Sequence, residues 1–205
     1  ASDKDCPVDL IHSEIQCTQG LLADNKMIQW IQIADGNKLF KTDQVIVLDI
    51  QKDGKLSGFS NLGYYDYARS ENIDDAKNHK LKELLTTTKG ITLKVDSINT
   101  KNIDDNTEPL KVSLKYSGIA QNSGDYLLIH YNLFMGFNSN PFTAEKRQTD
   151  IDFGYLQNRK LVGYLNIDSS FSIEELPKNM NMIMHAIYLQ HLVVIILKNT
   201  GYIFM

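Results

Sequence analysis

The sequence predicts a mainly β fold, an antiparallel β-sandwich with one short packed α-helix at about residues 72–89. Apolar and polar residues alternate with a period of two over most of the chain, as they do in strands that bury one face. Gly, Asn and Asp interrupt this alternation at short intervals, which is typical of turns between the strands of a sandwich. One segment instead shows the spacing of a helix.

A β-hairpin is predicted around Asp53-Gly54. The segment 45–50 is an apolar strand, and 56–59 returns as its partner. Gly accepts the positive φ that a tight hairpin turn needs. We expect this hairpin to be structural.

The helix is predicted from residues that fall on one face at helical spacing, with Asn72 able to cap its start and Gly90 placed to end it. These residues are Ile73, Lys77, Leu81, Leu84 and Leu85. Asp74 and Asp75 in the first turn interact favourably with the positive end of the helix dipole. We expect the apolar stripe to pack on a sheet.

Further strands follow the helix, and their alternation indicates antiparallel order. The predicted strands are 91–98, 109–117, 125–134, 161–167 and 171–176, with a turn at 122–124 and a loop at 99–107. The end of the chain, 180–205, is apolar and rich in Met. Because polar residues interrupt it short of the roughly 20-residue run that a membrane helix needs, we predict a β-hairpin that turns at 199–201.

Composition and charge exclude some classes of function. The chain has 205 residues, of which 42% are hydrophobic and 22% charged, and its formal net charge is -4. This charge and the absence of a basic run argue against nucleic-acid binding, since a phosphate-binding surface needs clustered Lys and Arg. Cys6 and Cys17 either form a disulfide or remain two buried thiols. With His12 they lack the spacing of a metal site, and we expect neither metal nor cofactor.

The order of several short motifs resembles that of bacterial, Bacteroides-type transglutaminase-like proteins. The motifs lie between about residue 1 and residue 178. They are Ala1-Ser2-Asp3 followed by Pro7, Cys17 and Trp30; Gly63-Tyr64-Tyr65 with Ala68 and Arg69; Asn140-Pro141-Phe142 with Arg147 and Asp150-Ile151-Asp152-Phe153; and Glu175-Leu176-Pro177-Lys178. The first resembles the stretch just after the last catalytic residue of that family. The others resemble the domain of unknown function that follows its transglutaminase-like core.

The resemblance implies a domain organisation and a function. Residues 1–40 would be the end of a transglutaminase-like domain packed on the sandwich, and 41–205 the sandwich domain with an atypical apolar C-terminal hairpin. The family's catalytic Cys, His and Asp would lie before Ala1, so the chain would be a non-catalytic, extracytoplasmic accessory domain. Its expected partners are a transglutaminase-like catalytic domain and a second copy, bound through the tail because an incomplete sheet exposes an edge.

An alternative interpretation is a free-standing glycan- or peptide-binding module. Tyr64, Tyr65, Tyr67 and Arg69 would form its aromatic platform. Strand alternation puts Tyr65 and Tyr67 on one face and Tyr64 on the other. At least one of the three tyrosines therefore belongs to the core.

The Asn-Pro-Phe motif predicts a structural corner. Pro141 fixes the backbone and Phe142 supplies a large apolar anchor. Arg147 can fork onto the carboxylate of Asp150 or Asp152, and the competing interpretation is that Arg147 binds a ligand.

An enzyme is the third interpretation. Its candidate acids are Asp49, Asp53, Asp150 and Asp152, which the pattern places on or beside turns. The sequence shows no Ser-His-Asp or Cys-His arrangement and no Gly-rich phosphate loop. We therefore expect no catalysis by this chain.

Overall fold

The computed structural model describes residues 6–7, 9–24, 26–33, 36–81, 92–123, 126–128, 155–171 and 193–198. They form a mainly β fold with one α-helix, which confirms the predicted class. The strands are β1 (Thr18–Ala23), β2 (Ile28–Ile33), β3 (Phe40–Ile50), β4 (Lys55–Tyr65), β5 (Thr92–Lys101), β6 (Leu110–Ile119), β7 (Gln121–Ser123), β8 (Tyr126–Leu128), β9 (Gln157–Ile167) and β10 (Val193–Lys198); the helix is α1 (Asp66–Lys77).

The main sheet has six strands in the order β10-β9-β3-β4-β6-β5. The pairs from β3 to β5 are antiparallel, but β9 runs parallel to β3, and β10 runs parallel to β9. The sheet is therefore mixed, and the prediction of a wholly antiparallel one is wrong. Alternation marks the faces of a strand but not its direction, and β3 and β9 lie far apart in sequence. The two-stranded sheets β1–β2 and β7–β8 accompany the main sheet, an arrangement consistent with a sandwich.

One face of the main sheet forms the core. Alternate residues of β3, β4, β6 and β9 are buried, while the residues between them lie on the opposite, outer face. The buried residues include Ile46, Leu48, Ile50, Leu56, Leu62, Val95, Leu110, Val112, Leu114, Tyr116, Leu161, Leu165 and Ile167. Helix α1 packs against β3 and β4 and buries Ile73 and Ala76. Leu10, from the segment before β1, belongs to the same core cluster.

The hairpin at Asp53-Gly54 is confirmed. Gly54 has a φ of 79° and its N–H donates to the carbonyl of Gln51 over 2.9 Å. This turn joins β3 to β4, whose residues pair without interruption from Ile50 with Leu56 to Lys41 with Tyr65. The predicted strands at 45–50 and 56–59 are the turn-proximal parts of these longer strands.

The helix starts earlier than predicted. It runs over Asp66–Lys77, so Asn72 lies within it and its side-chain amide donates to the carbonyl of Ala68 over 2.8 Å. At Asp66 the backbone φ of 43° turns the chain out of β4, and the carboxylate accepts the N–H of Leu39 at 3.4 Å. Asn72 followed by two acids has the pattern of a helix start, which misled the prediction. Leu84, Leu85 and Gly90 lie outside the described residues.

Helix α1 is a crossover between parallel strands. Because β4 and β5 are each antiparallel to β6, they run parallel to each other with β6 between them. The alternation of the sequence did not predict this split arrangement. It places β6 between β4 and β5 and leaves β5 at the edge of the sheet.

Several predictions concern segments that the structure describes in part or not at all. Pro141, Phe142, Arg147, Asp150 and Asp152 lie outside the described residues, as do the predicted turn at 199–201 and most of 125–134 and 171–176. Within the tail, β10 pairs with β9, so this part of the apolar segment belongs to the main sheet. In the described part of the chain, no helix has the length and apolarity to cross a membrane.

Candidate functional site

The residues of the predicted aromatic platform occupy different environments. Tyr64 points into the core from β4 and is 7% exposed, and Tyr67 and Arg69 lie on α1, each 2% exposed. Tyr65 lies on the outer face, where Lys41 Nζ is 4.3 Å from its ring centroid. The prediction that Tyr65 and Tyr67 share a strand face is therefore wrong, because the chain enters the helix at Asp66. The four side chains do not form one exposed platform.

Tyr67 fastens the segment before β1 to the helix. Its hydroxyl donates to the carbonyl of Ile11 over 2.7 Å and accepts a hydrogen bond from Gln16 Nε2. Both Gln16 and Tyr67 are buried. The role of Tyr67 is thus to hold together two parts of the domain.

A stack of aromatic rings covers the start of β3 and β9. Tyr155 lies between Phe40 and Tyr67, with ring centroids 5.3 Å and 5.1 Å away. Its hydroxyl donates to Glu71 Oε1 on α1, and the guanidinium carbon of Arg159 lies 4.4 Å from the centroid of Phe40. Sequence reasoning missed this cluster because its members are separated by long stretches of chain and form no local motif.

The electrostatics of this cluster favour the ordinary charge states. Burial raises the pKa of Tyr155, and its hydrogen bond to Glu71 raises it further. Burial lowers the pKa of Arg159, while the negative charge of Glu71 opposes that change. Tyr155 is therefore neutral at neutral pH, and a guanidinium remains charged there. These groups stabilise the junction of the sheet with α1, and they are not poised for proton transfer near pH 7.

Burial of Tyr64 gives the domain a sensitivity to alkaline pH. Burial raises the pKa of Tyr64 to about 12, and the nearby charge of Arg159 lowers it in part. An unfolded Tyr titrates near pH 10, so the stabilising effect is complete below about pH 10 and is lost as the pH rises toward about 12. We expect the free energy of unfolding to fall by roughly 2 kcal/mol from this residue over that interval.

Urea unfolding measured at several pH values tests this expectation. Burial also raises the pKa of Tyr116 and of Tyr155, so Tyr64→Phe should reduce the alkaline loss of stability without abolishing it. An unchanged slope of stability against pH in Tyr64→Phe would show that Tyr64 is not the titrating group.

The two candidate acids that the structure describes, Asp49 and Asp53, contact different residues. Asp49 accepts a hydrogen bond from Asn166 Nδ2 at 2.6 Å on the outer face. Asp53 forms an ion pair with Lys55 at 2.6 Å, and this hydrogen bond lowers the pKa of its carboxyl. Asp53 also lines a shallow depression of about 680 Å³ with Gln51, Lys52 and Asp168. In the parts of the chain that the structure describes, no three His, Cys, Asp or Glu residues lie together in a way that could hold a metal ion.

Cys6 and Cys17 do not form a disulfide with each other. Cys6 is half-buried and its Sγ lies 3.6 Å from the carbonyl oxygen of Leu10, while Cys17 is exposed. The expectation of either a disulfide or two buried thiols is therefore wrong for Cys17. The residue follows a short 3-10 turn (Ser13–Ile15) and adopts a φ of 59°, which turns its side chain to the surface as β1 begins.

The apolar ribbon, defined as β1 and β2, is the most exposed apolar surface in the described part of the chain. Its strands pair over their full length, and nearly every residue is exposed. The exposed large apolar residues of the two strands are Leu21, Leu22, Ile28, Trp30 and Ile31, and Met27 in the turn between the strands is exposed as well. Trp30 is 67% exposed and Ile28 73%. Contiguous apolar surface of this kind marks interaction sites in soluble proteins.

The register places large apolar side chains on both faces of the apolar ribbon. Trp30 pairs with Leu21 on one face, where Ile28 pairs with Ala23. Leu22, Ile31 and Ile33 lie on the other face. Neither strand contains a charged residue; the polar ones are mainly glutamines. This lack of charge was the available signal in the sequence, but it did not lead to a prediction of the ribbon.

Comparison of the chain with protein-family models, with curated proteins and with solved structures found no match. The resemblance to the domain that follows a transglutaminase-like core is therefore supported by the short motifs alone.

Proposed function

We propose that this chain is a non-catalytic protein-binding module and that the apolar ribbon is its contact surface. The observation that carries the proposal is the exposure of five large apolar side chains on two paired strands, and of Met27 in the turn between them. An isolated two-stranded ribbon is marginally stable in water, so a partner that covers it would stabilise it. Trp is also among the residues that contribute most to binding energy at protein interfaces.

The partner that fits is an extended, apolar segment of another protein. The ribbon strands lack charge, so they offer no ion pair to a partner. They do offer apolar side chains and the amides of Gln19, Gln29 and Gln32. Both outer edges of a two-stranded sheet also carry backbone groups that can pair with an added strand.

An accessory role fits the same surface. A transglutaminase-like or peptidase-like catalytic domain in an extracytoplasmic compartment would be one partner, as the resemblance implies. That version of the proposal depends on the short motifs, whereas the binding surface depends on the exposure of the ribbon.

Replacing Trp30 by alanine is expected to weaken peptide binding by at least about tenfold, because truncating an interface Trp commonly costs more than 1.4 kcal/mol. Binders would first be selected from a library of random peptides displayed on phage. Trp30 is the one Trp of the chain, so its fluorescence reports contact at the ribbon directly. Calorimetry then compares the variant with the wild-type chain.

Leu156→Ala is the matched control. Leu156 lies just before β9, outside the apolar ribbon, and is 55% exposed, so its replacement also deletes an exposed large apolar side chain. We expect Leu156→Ala to retain binding of peptides selected on the wild-type chain. Equal losses in the two variants, a selection that yields no apolar peptides, or binding of soluble glycans in their place would refute the proposal.

A further inference from the structure

The outer face of β5 and β6 carries a concentration of positive charge. The lysine face, as we name it, consists of Lys94 and Lys101 on β5 and Lys111 and Lys115 on β6. All four residues are exposed. We propose that the lysine face binds an acidic segment of a partner protein, as a second contact surface beyond the apolar ribbon.

The register of β5 and β6 assembles this surface. Lys101 lies directly opposite Lys111, Ser97 opposite Lys115, and Lys94 opposite Ser117. On β6 the residues between these positions point into the core, so Lys111 and Lys115 share the outer face. The lysines are spread over more than 20 positions of sequence, and only strand pairing brings them together.

The charge of the lysine face is not balanced locally. The two strands contain four lysines and one acid, Asp96, which lies in the irregularity between Val95 and Ser97. None of the four lysines makes an ion pair within the residues that the structure describes. The chain as a whole has a net charge of -4, so the sign of the charge on this surface is opposite to that of the whole chain.

The loop that joins β5 and β6 is held through its backbone by a residue of α1. This loop, 102–109, contains Asp104, Asp105 and Glu108. Arg69 on α1 holds this loop, because its Nη2 donates to the backbone carbonyl oxygens of Asn102 and Asp105 at 3.1 Å and 2.8 Å. The helix lies on the core face, so the loop is anchored away from the lysine face.

Sheet stability does not account for this arrangement. Like charges directly opposite one another on paired strands are destabilising, and Lys101 and Lys111 form such a pair. Lysines on an edge strand discourage pairing with other chains, which accounts for Lys94 and Lys101 on β5. That explanation does not cover Lys111 and Lys115, because β6 lies between β4 and β5.

Exposed apolar residues beside the lysine face indicate which kind of partner it would bind. Phe59 on β4 lies directly opposite Lys115, and Ile119 at the end of β6 is 62% exposed. A segment in which acidic residues are interspersed with apolar ones complements both features. A polypeptide fits better than a nucleic acid because the lysine face has no Arg, whose planar guanidinium suits phosphate. A polypeptide also supplies apolar side chains that can contact Phe59 and Ile119.

The test measures binding of a fluorescein-labelled ten-residue peptide, the length of β6, in which glutamate alternates with serine and leucine. The full chain is titrated by fluorescence anisotropy, and a peptide with glutamine in place of glutamate reports the contribution of charge. We expect the double variant Lys111→Glu, Lys115→Glu to weaken binding by at least about tenfold. Raising the salt concentration toward about 1 M should also weaken it, since the Debye length then falls to about 3 Å.

The control is the double variant Lys52→Glu, Lys80→Glu, which makes the same change of charge at exposed positions outside β5 and β6. It should bind within about twofold of the wild-type chain, as should Trp30→Ala, whose defect belongs to the apolar ribbon. Thermal unfolding checks the fold, and Lys111→Gln, Lys115→Gln repeats the test with a smaller perturbation.

Each remaining outcome overturns the proposal. Equal losses in the two double variants, or no measurable binding of the glutamate peptide, would mean that the lysine face does not recognise acidic segments. A single-stranded oligonucleotide of equal charge that binds more tightly than the peptide, and that requires Lys111 and Lys115, would assign the surface to nucleic acid.

Discussion

Replacing Arg69 by alanine is expected to lower the free energy of unfolding by about 4 kcal/mol, the largest single effect that we anticipate. Arg69 is 2% exposed, and its Nη2 donates to the carbonyl oxygens of Asn102, Ile103 and Asp105 at 3.1, 3.2 and 2.8 Å. Alanine would leave these acceptors without their donor and open a cavity beneath the loop. Chemical denaturation of the purified variant measures the loss.

Two further variants separate the causes of this loss. Arg69→Met retains much of the apolar volume, so its deficit relative to the wild-type chain reports chiefly the missing hydrogen bonds. Asp74→Ala changes an exposed residue of the same helix and should stay within about 0.5 kcal/mol. Stability of Arg69→Met equal to that of the wild-type chain would show that the contacts to the loop contribute nothing.

Gly58→Ala is expected to destabilise the domain by about 3 kcal/mol, because a side chain has no room at this position of β4. A methyl group there would collide with the carbonyl oxygen of Val47 and lie 3.0 Å from the hydroxyl of Tyr116. Tyr116 is 1% exposed, and its hydroxyl donates to the same carbonyl over 3.1 Å. Relieving the clash would require movement of the β3 backbone or loss of this hydrogen bond.

Gly163→Ala makes the same substitution where there is space. Among the described residues, no atom lies within 4 Å of a methyl group built at Gly163 of β9. We expect a change within about 0.5 kcal/mol, since alanine restricts the unfolded chain more than glycine does. Thermal and urea unfolding of both variants provide the comparison, and a smaller loss at Gly58 than at Gly163 would contradict the packing argument.

Two predictions about strands, the hairpin at Asp53-Gly54 and the buried side of β6, succeeded because they depend on local sequence. The hairpin at Asp53-Gly54 requires a positive φ at one residue, and the glycine at that residue can be identified from the sequence alone. The alternation of 110–116 likewise predicts which side chains of β6 are buried, since a strand exposes every second residue to the same side. Both inferences involve residues a few positions apart.

The prediction of an aromatic platform failed because the backbone at Asp66 depends on contacts from a distant segment. The predicted alternation from Tyr64 to Tyr67 presumed that the strand continues, but at Asp66 the chain enters α1. The left-handed φ of Asp66 is stabilised by the N–H of Leu39 and by Lys38, whose Nζ lies 3.6 Å away. Those contacts come from a segment more than 25 residues earlier, so no pattern around Tyr64 could reveal them.

The charges of the chain also show which properties follow from composition and which follow from strand pairing. Its net charge of -4 and the lack of a basic run argued against nucleic-acid binding and gave no indication of a cationic surface. Lys101 and Lys111 lie ten positions apart, and strand pairing places them side by side. Composition gives the sum of the charges, whereas the sheet decides which charges are neighbours.

By itself, the sequence determined the mainly β class, the turn at Asp53-Gly54 and the buried side of strands such as β6, because backbone conformation and alternation depend on adjacent residues. Only the tertiary structure decided that β9 runs parallel to β3, that Arg69 is buried beneath a loop, and that the apolar ribbon and the lysine face exist as surfaces. Each of these depends on which distant segments pack together, and packing is selected by the free energy of the whole assembly of strands rather than by any local pattern.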